Sequence, residues 1–167
     1  PDISEDHYFK VIEFKTAQLF KACGSIAGLI NNTDEKTINA YAKIGHHFGL
    51  IFQIADDILD YSGKPNEIGK NVGDDLSEGR VTLPLIYTIQ KSNENQKEMI
   101  KNSIKTGDIS KLPDIIQIME DNNIVKKVKI NAEKHIIQIK KILDELGSHE
   151  NNNVIVKLAE HSINRNF

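Results

Sequence analysis

Hydrophobic positions recur at helical spacing along nearly the whole chain. From Glu5 to about Ile30, Tyr8, Ile12, Ala17, Leu19, Phe20 and Cys23 follow one another at near-helical intervals, and Asn31-Asn32-Thr33 breaks the run. Thr33 or Asp34 then caps a helix reaching about Asp60, with Ile44, Phe48, Ile51, Phe52, Ala55, Ile58 and Leu59 on its buried side. Residues 61–80 are rich in glycine and carry Pro65, which predicts a loop. A helix follows from about Thr82, with Pro84 tolerated in its first turn. Shorter helices are expected over 93–105 and 112–121. A long one runs from Ile124 to Leu146, apolar at 124, 128, 132, 136, 139, 143 and 146 with lysines opposite, and Gly147 ends it. A last amphipathic helix covers about 153–163. No strand alternation, repeat or low-complexity linker appears. The pattern predicts an all-α fold with helices long enough for a bundle.

One helix breaks the usual division of polar and apolar faces. Asp56, Asp57 and Asp60 stand among Phe52, Ile54, Ile58 and Leu59. Residues three and four apart share a helix face, so Gln53, Asp56, Asp57 and Asp60 form one polar stripe about two turns tall. Carboxylates this close repel one another unless a cation lies between them. Hard divalent ions take oxygen ligands, and magnesium in particular accepts one or two carboxylates and fills its shell with water and phosphate. A solvated acidic face accounts for D-D-x-x-D about as well, but the apolar flanks count against it. Lys64 and Lys70 follow in glycine-flanked positions, and Arg80 comes after them. Lysine offers phosphate a point charge and arginine a fork. Carboxylates followed by cations on a glycine loop suggest metal plus diphosphate.

Other chemistries are excluded by spacing. Gly63 to Gly69 has one residue too many for G-x-x-x-x-G-K-[ST], and Asn71 stands where Ser or Thr belongs. Glu-x-x-His and His-Glu-x-x-His do not occur, which removes the di-iron bundle and the zincin. The net charge of −3 over 167 residues gives no support to nucleic-acid binding. The single cysteine, Cys23, excludes a disulfide framework and fits a reducing, cytoplasmic setting; it reads as a small buried apolar residue. The longest apolar stretch, near Ala22 to Ile30, is about half the ~20 residues of a membrane span. Pro1 in place of Met reads as something other than a native start. His46 falls on the stripe of Gln53 and Asp57. It, His47 and His135 read as packed or partly exposed histidines, the lysine-rich face of 126–141 as solvated, and Asp74 and Glu78 as loop-holding acids. Lys15, beside the apolar stripe of the first helix, either snorkels or reaches the same cavity as the carboxylates.

Three segments taken together, "KTAQLF" at 15–20, "GLIFQIADDILDY" at 49–61 and "GKNVGDDLSEGRVTLPLIY" at 69–87, with the spacing between them, resemble the C-terminal half of a trans-isoprenyl diphosphate synthase of the polyprenyl, octaprenyl-like branch. The resemblance runs to about residue 90. It implies the C-terminal part, 1–167, of a single isoprenoid synthase-type helical bundle around a central cavity. The implied reaction condenses an allylic diphosphate head-to-tail with isopentenyl diphosphate, using magnesium. Asp56, Asp57 and Asp60 would be the second aspartate-rich motif, which binds the magnesium-bridged allylic diphosphate. Lys15 and Lys70 match lysines that contact that diphosphate, and Thr16 and Gln53 match polar residues near the developing allylic cation. Asp75 matches the acid after the Gly-Lys step. Arg80 stands where lysine is commonest and keeps its charge but not its geometry. The family's first aspartate-rich motif, with most of the isopentenyl diphosphate site, lies upstream of the Lys-Thr pair and has no counterpart here. The resemblance also implies a homodimer of the full chain. The competing readings are a terpene cyclase-like diphosphate-ionising enzyme, which usually lacks the Gly-Arg-Val-Thr-Leu-Pro continuation, and a non-catalytic or decayed prenyltransferase subunit.

Overall fold

The computed structural model describes residues 4–62, 72–147 and 152–164. Among the described residues it holds helices and turns and no strand. In order these are α1 (Glu5–Ile12), a π turn (Glu13–Ala17), α2 (Gln18–Ile30), α3 (Glu35–Ser62), α4 (Asp74–Ser77), α5 (Leu83–Lys91), α6 (Glu94–Thr106), a 3-10 turn (Ile109–Lys111), α7 (Leu112–Asp121), α8 (Ile124–Leu146) and α9 (Asn152–Ile163). The all-α expectation holds. Asp34 makes the cap of α3, accepting the Thr37 N–H at 2.8 Å, and the Thr37 side chain together with that N–H holds its carboxyl below the usual range. Asn93 and Gln96 form a reciprocal capping box at the start of α6. Gly147, at φ +99, follows α8 in the left-handed region that favours glycine.

Two expectations need correction. The run from Glu5 to Ile30 is not one α-helix, because the π turn divides it. Ile12 and Ala17 are both buried yet five residues apart. Five α-helical residues advance about 500°, roughly 140° beyond a full turn, and would send them to different sides. The wider i→i+5 turn returns Ala17 to the face of Ile12. Beyond it, Leu19 is 70% exposed and Cys23 is exposed as well, so neither belongs to the buried stripe. The second correction is the short helix α4 inside the segment expected to be all loop.

The chain divides into two compact units, and the division falls inside α1, α3 and α8. In the unit containing residues 4–8 and 56–129, Leu76, Leu83, Leu85, Ile86, Ile100, Ile115, Ile124 and Val128 are wholly or almost wholly buried. Gly73, at φ +88, faces Leu112: a Cβ there would come within 2.5 Å of the leucine Cδ2.

In the unit containing residues 9–55 and 130–164, the buried set includes Ala17, Ile44, Ile51, Ile54, Ala132, Ile139 and Ala159. Here α2 and the first part of α3 meet backbone to backbone at glycines. A Cβ on Gly45 would stand 2.2 Å from the Phe20 carbonyl oxygen, and one on Gly24 would stand 2.2 Å from that of Tyr41. Replacing glycine by alanine on an open helix face gains about 1 kcal/mol. At Gly45 the sign reverses, because a carbonyl of the neighbouring helix cannot swing aside as a side chain can. Gly45→Ala is expected to destabilise by ~1–3 kcal/mol, read as a lower urea midpoint. An unchanged or raised midpoint contradicts the close approach.

The same unit holds a histidine pair. His47 Nδ1 and His135 Nδ1 are 3.1 Å apart, with His46 edge-on to His47 at a ring separation of 5.5 Å. One neutral ring donates and the other accepts, and a second proton would remove the acceptor. Burial, then His47, His46 and Lys134, push His135 down to about 4, while burial and His46 lower His47. The unfolded chain therefore takes up a proton near the ordinary pKa of about 6.5, where the folded one refuses it. Stability present above that pH is lost as pH falls, and the loss is complete near 4. His135→Gln removes this titration. Its unfolding temperature is expected to gain on the parent's between pH 7 and pH 4.5. A constant difference contradicts the assignment.

Candidate functional site

The aspartates of α3 differ in setting. Asp56 and Asp60 are half-buried, whereas Asp57 is 3% exposed. Tyr8 on α1 donates its hydroxyl to Asp57 Oδ2 at 2.7 Å. Burial first, then Asp57, raise the Tyr8 hydroxyl far above the ordinary tyrosine range, so it stays a donor. The first turn of α1 is held in turn by Tyr87, whose hydroxyl donates to Glu5 at 3.0 Å. Tyr61, one residue past Asp60, is buried and accepts from Thr82 Oγ1 at 3.4 Å.

Asp60 holds the segment that follows. Its carbonyl accepts the Gly73 N–H at 3.0 Å, and its Oδ2 accepts the Asp75 N–H at 3.1 Å. Gly73 in the left-handed region turns the backbone so that both donors face Asp60. Burial, then the charge of Asp75, push the Asp60 carboxyl up to about 6. Arg80 donates to Asp75 Oδ1 at 3.0 Å and also pairs with Glu78, and the Asp75 bond raises the guanidinium pKa further. Arg80 thus stands beside the carboxylates with its fork partly engaged by them. Glu78 and Asp75 act as the loop-holding acids; Asp74 opens α4.

The Lys-Thr pair lies in the π turn. Thr16 Oγ1 donates to Gln53 Oε1 at 2.7 Å. Gln53 is 6% exposed, and the neighbouring Lys15 is exposed. Gly49 lets the turn close on α3, since a Cβ there would come within 2.7 Å of Ala17 Cα. Phe20 packs on Phe48 and Phe52 at ring separations of 5.9 and 5.5 Å. A π turn interrupts the α-helical ladder and is often found where a helix serves a site.

Gln53, Asp56, Asp57 and Asp60 occupy two turns of α3, as the stripe requires. Lys64 and Lys70 lie outside the described residues. No group of three or more His, Cys, Asp or Glu among the described residues could hold a metal ion on its own. Magnesium takes few protein carboxylates and completes its shell from phosphate and water. The donors are all hard oxygens, and Asp60 beside Asp75 is a place where negative charge is already crowded. Tyr8 was hidden in the sequence as one member of an apolar stripe; its only signal there was being a tyrosine among aliphatics. No helix among the described residues is long and apolar enough to cross a membrane.

Known proteins carry the same arrangement of sequence and fold. Residues 1–121 match the family model described as Polyprenyl synthetase. The octaprenyl diphosphate synthase of Haemophilus influenzae is 32% identical over 168 residues, covering 100% of this chain and 51% of the relative. The all-trans-nonaprenyl-diphosphate synthase (geranyl-diphosphate specific) of Rhodobacter capsulatus is 33% identical, covering 99% and 50%. Among solved structures, the polyprenyl synthase of Caulobacter crescentus, complexed with calcium and isoprenyl diphosphate, superposes with a TM-score of 0.92 at 27% identity, covering 99% of this chain and 52% of that one. The chain spans about half the length of the relatives it matches. A family match over most of the chain, with relatives at this identity and a shared helical fold, places the chain in the polyprenyl synthetase family.

Proposed function

We propose that the protein to which this chain belongs is a prenyltransferase that condenses isopentenyl diphosphate head-to-tail with an allylic diphosphate, giving a long-chain polyprenyl diphosphate of the kind used as a quinone side chain. This chain supplies the half of the site that holds the allylic diphosphate. The observation that carries the reading is the D-D-x-x-D stripe within an apolar helix, followed at family spacing by Gly-Lys and Gly-Arg-Val-Thr-Leu-Pro. The octaprenyl and nonaprenyl synthases among the relatives favour a long product. A homodimer of the full chain and a cytoplasmic location belong to the same reading.

In it, Asp56, Asp57 and Asp60 hold magnesium. When bound there, magnesium would supply positive charge to the leaving diphosphate. Lys15 and Lys70 contact the same diphosphate and stabilise the charge developing on it, with Arg80 beside them. Thr16 and Gln53 offer neutral dipoles to the allylic cation. A carboxylate there would capture it; a hydroxyl hydrogen-bonded to an amide oxygen at 2.7 Å is a poorer nucleophile and already held in place. Apolar neighbours exclude water, which would otherwise quench the cation.

The test is product formation by the full-length protein from isopentenyl diphosphate and an allylic primer. Elongated polyprenyl diphosphate is expected; a cyclised hydrocarbon, or no product, overturns the reading. A second measurement concerns the carboxylates. Magnesium should bind weakly alone and at least tenfold more tightly, as an order of magnitude, with a non-reactive allylic diphosphate analogue present, because phosphate completes the shell. Calorimetry giving equal heats for the parent and an Asp56→Ala, Asp57→Ala double variant would count against it.

A further inference from the structure

The three aspartates do not stand alike. Asp57 is almost completely buried, at 3% exposure, and so is the tyrosine that donates to it, at 4%. A buried carboxylate needs donors, and a hydroxyl at 2.7 Å is within the range of charge-assisted bonds. The bond joins residues 49 positions apart, so it fixes α3 against α1 where the carboxylates begin. The Tyr87–Glu5 bond, in the same unit, also holds the first turn of α1. Tyr8 therefore arrives at Asp57 on a braced helix. Asp56 and Asp60 are the more open members of the stripe, and Asp60 is braced separately by the Asp75 N–H. Asp57 is thus the most buried of the three, and its Oδ2 is held by Tyr8.

We propose that Tyr8 is a positioning residue for the metal-binding carboxylates: its hydroxyl fixes the Asp57 carboxylate and, through it, the geometry that Asp56 and Asp60 present to a divalent ion. The inference rests on the reading of this stripe as the magnesium and diphosphate site. A partner that orients a ligating carboxylate sets metal affinity without touching the metal. Phenylalanine removes only the hydroxyl and keeps the buried ring, so Tyr8→Phe isolates the bond.

The experiment uses the full-length protein and three measurements on the same samples: Mn2+ binding by electron paramagnetic resonance with inorganic diphosphate present, magnesium activation of turnover, and the unfolding temperature. Tyr8→Phe is expected to raise both the Mn2+ dissociation constant and the half-activating magnesium concentration about tenfold. Excess magnesium should restore part of the lost turnover, which a purely structural role does not predict. A Tyr8→Phe protein that fails to fold, or unfolds earlier yet binds Mn2+ like the parent, overturns the proposal. Asp60→Asn runs beside it. Weakened Mn2+ binding in Asp60→Asn with none in Tyr8→Phe overturns the positioning role alone. Unchanged binding in both overturns the metal-site reading on which it rests.

Discussion

Asp56→Ala in the full-length protein is expected to lower turnover by about 10²–10³-fold while the unfolding temperature stays within a few degrees of the parent's. The carboxylate would act on charge that appears only as the diphosphate leaves, so its loss falls on the rate more than on substrate binding. Removing one group that stabilises transition-state charge typically costs ~2.7–4 kcal/mol. Asp57→Ala should fall as far but also lower the unfolding temperature, since it leaves the buried Tyr8 hydroxyl without its acceptor. Gln53→Leu should be milder, about tenfold, because one neutral dipole contributes less than a metal ligand. Steady-state kinetics across a magnesium series, with thermal unfolding of each variant, checks all three. Near-parental turnover of Asp56→Ala at limiting magnesium would remove that residue from the site.

The second large effect concerns surface. Phe14 is 74% exposed, Leu19 70%, Ile26 55% and Ile30 73%. On α2, Leu19, exposed Cys23, Ile26 and Ile30 follow at intervals of four, three and four, which lines them along one face. A continuous exposed apolar face of this kind is a surface for association or aggregation. The chain by itself is therefore expected to self-associate and to give no condensation. A Leu19→Glu, Ile26→Glu pair should return it to the monomer by light scattering. In a longer protein containing the other half of the family's fold, the same pair should instead lower stability by several kcal/mol, because each glutamate would be buried without a partner. A monomeric parent chain, or robust elongation by it alone, would contradict this.

How much of this could be read from residues alone depended on distance along the chain. α7 and α8 have the boundaries that spacing predicts, Leu112–Asp121 and Ile124–Leu146, because each carries a regular apolar face and its own stop signal. The carboxylate stripe was legible for the same reason: three and four residues apart on one helix is a local statement. Tyr8 with Asp57, and His47 with His135, were not, because 49 and 88 residues separate partners whose meeting depends on packing. Cys23 departs from its residue type, since exposure follows from which face α2 turns outward and not from a cysteine's preference for interiors. The π turn left a trace that ordinary periodicity hides: the buried pair Ile12 and Ala17 is five apart, where four would have continued an α-helix. The signal is one interval long and becomes legible only once both ends are known to be buried.

That extra residue also fixes how the gene can change length. Insertions and deletions are absorbed in connections, where slack chain costs little. The π turn at Glu13–Ala17 is a second place for it, one residue deep. Losing one codon there would let the helix run straight and leave the counterparts of Ile12 and Ala17 four residues apart, an advance of about 400° that keeps them on one face. Tyr8 would keep its heading. A homologue one residue shorter between its counterparts of Tyr8 and Thr16 should therefore carry an uninterrupted α-helix there and retain the hydroxyl at the equivalent place.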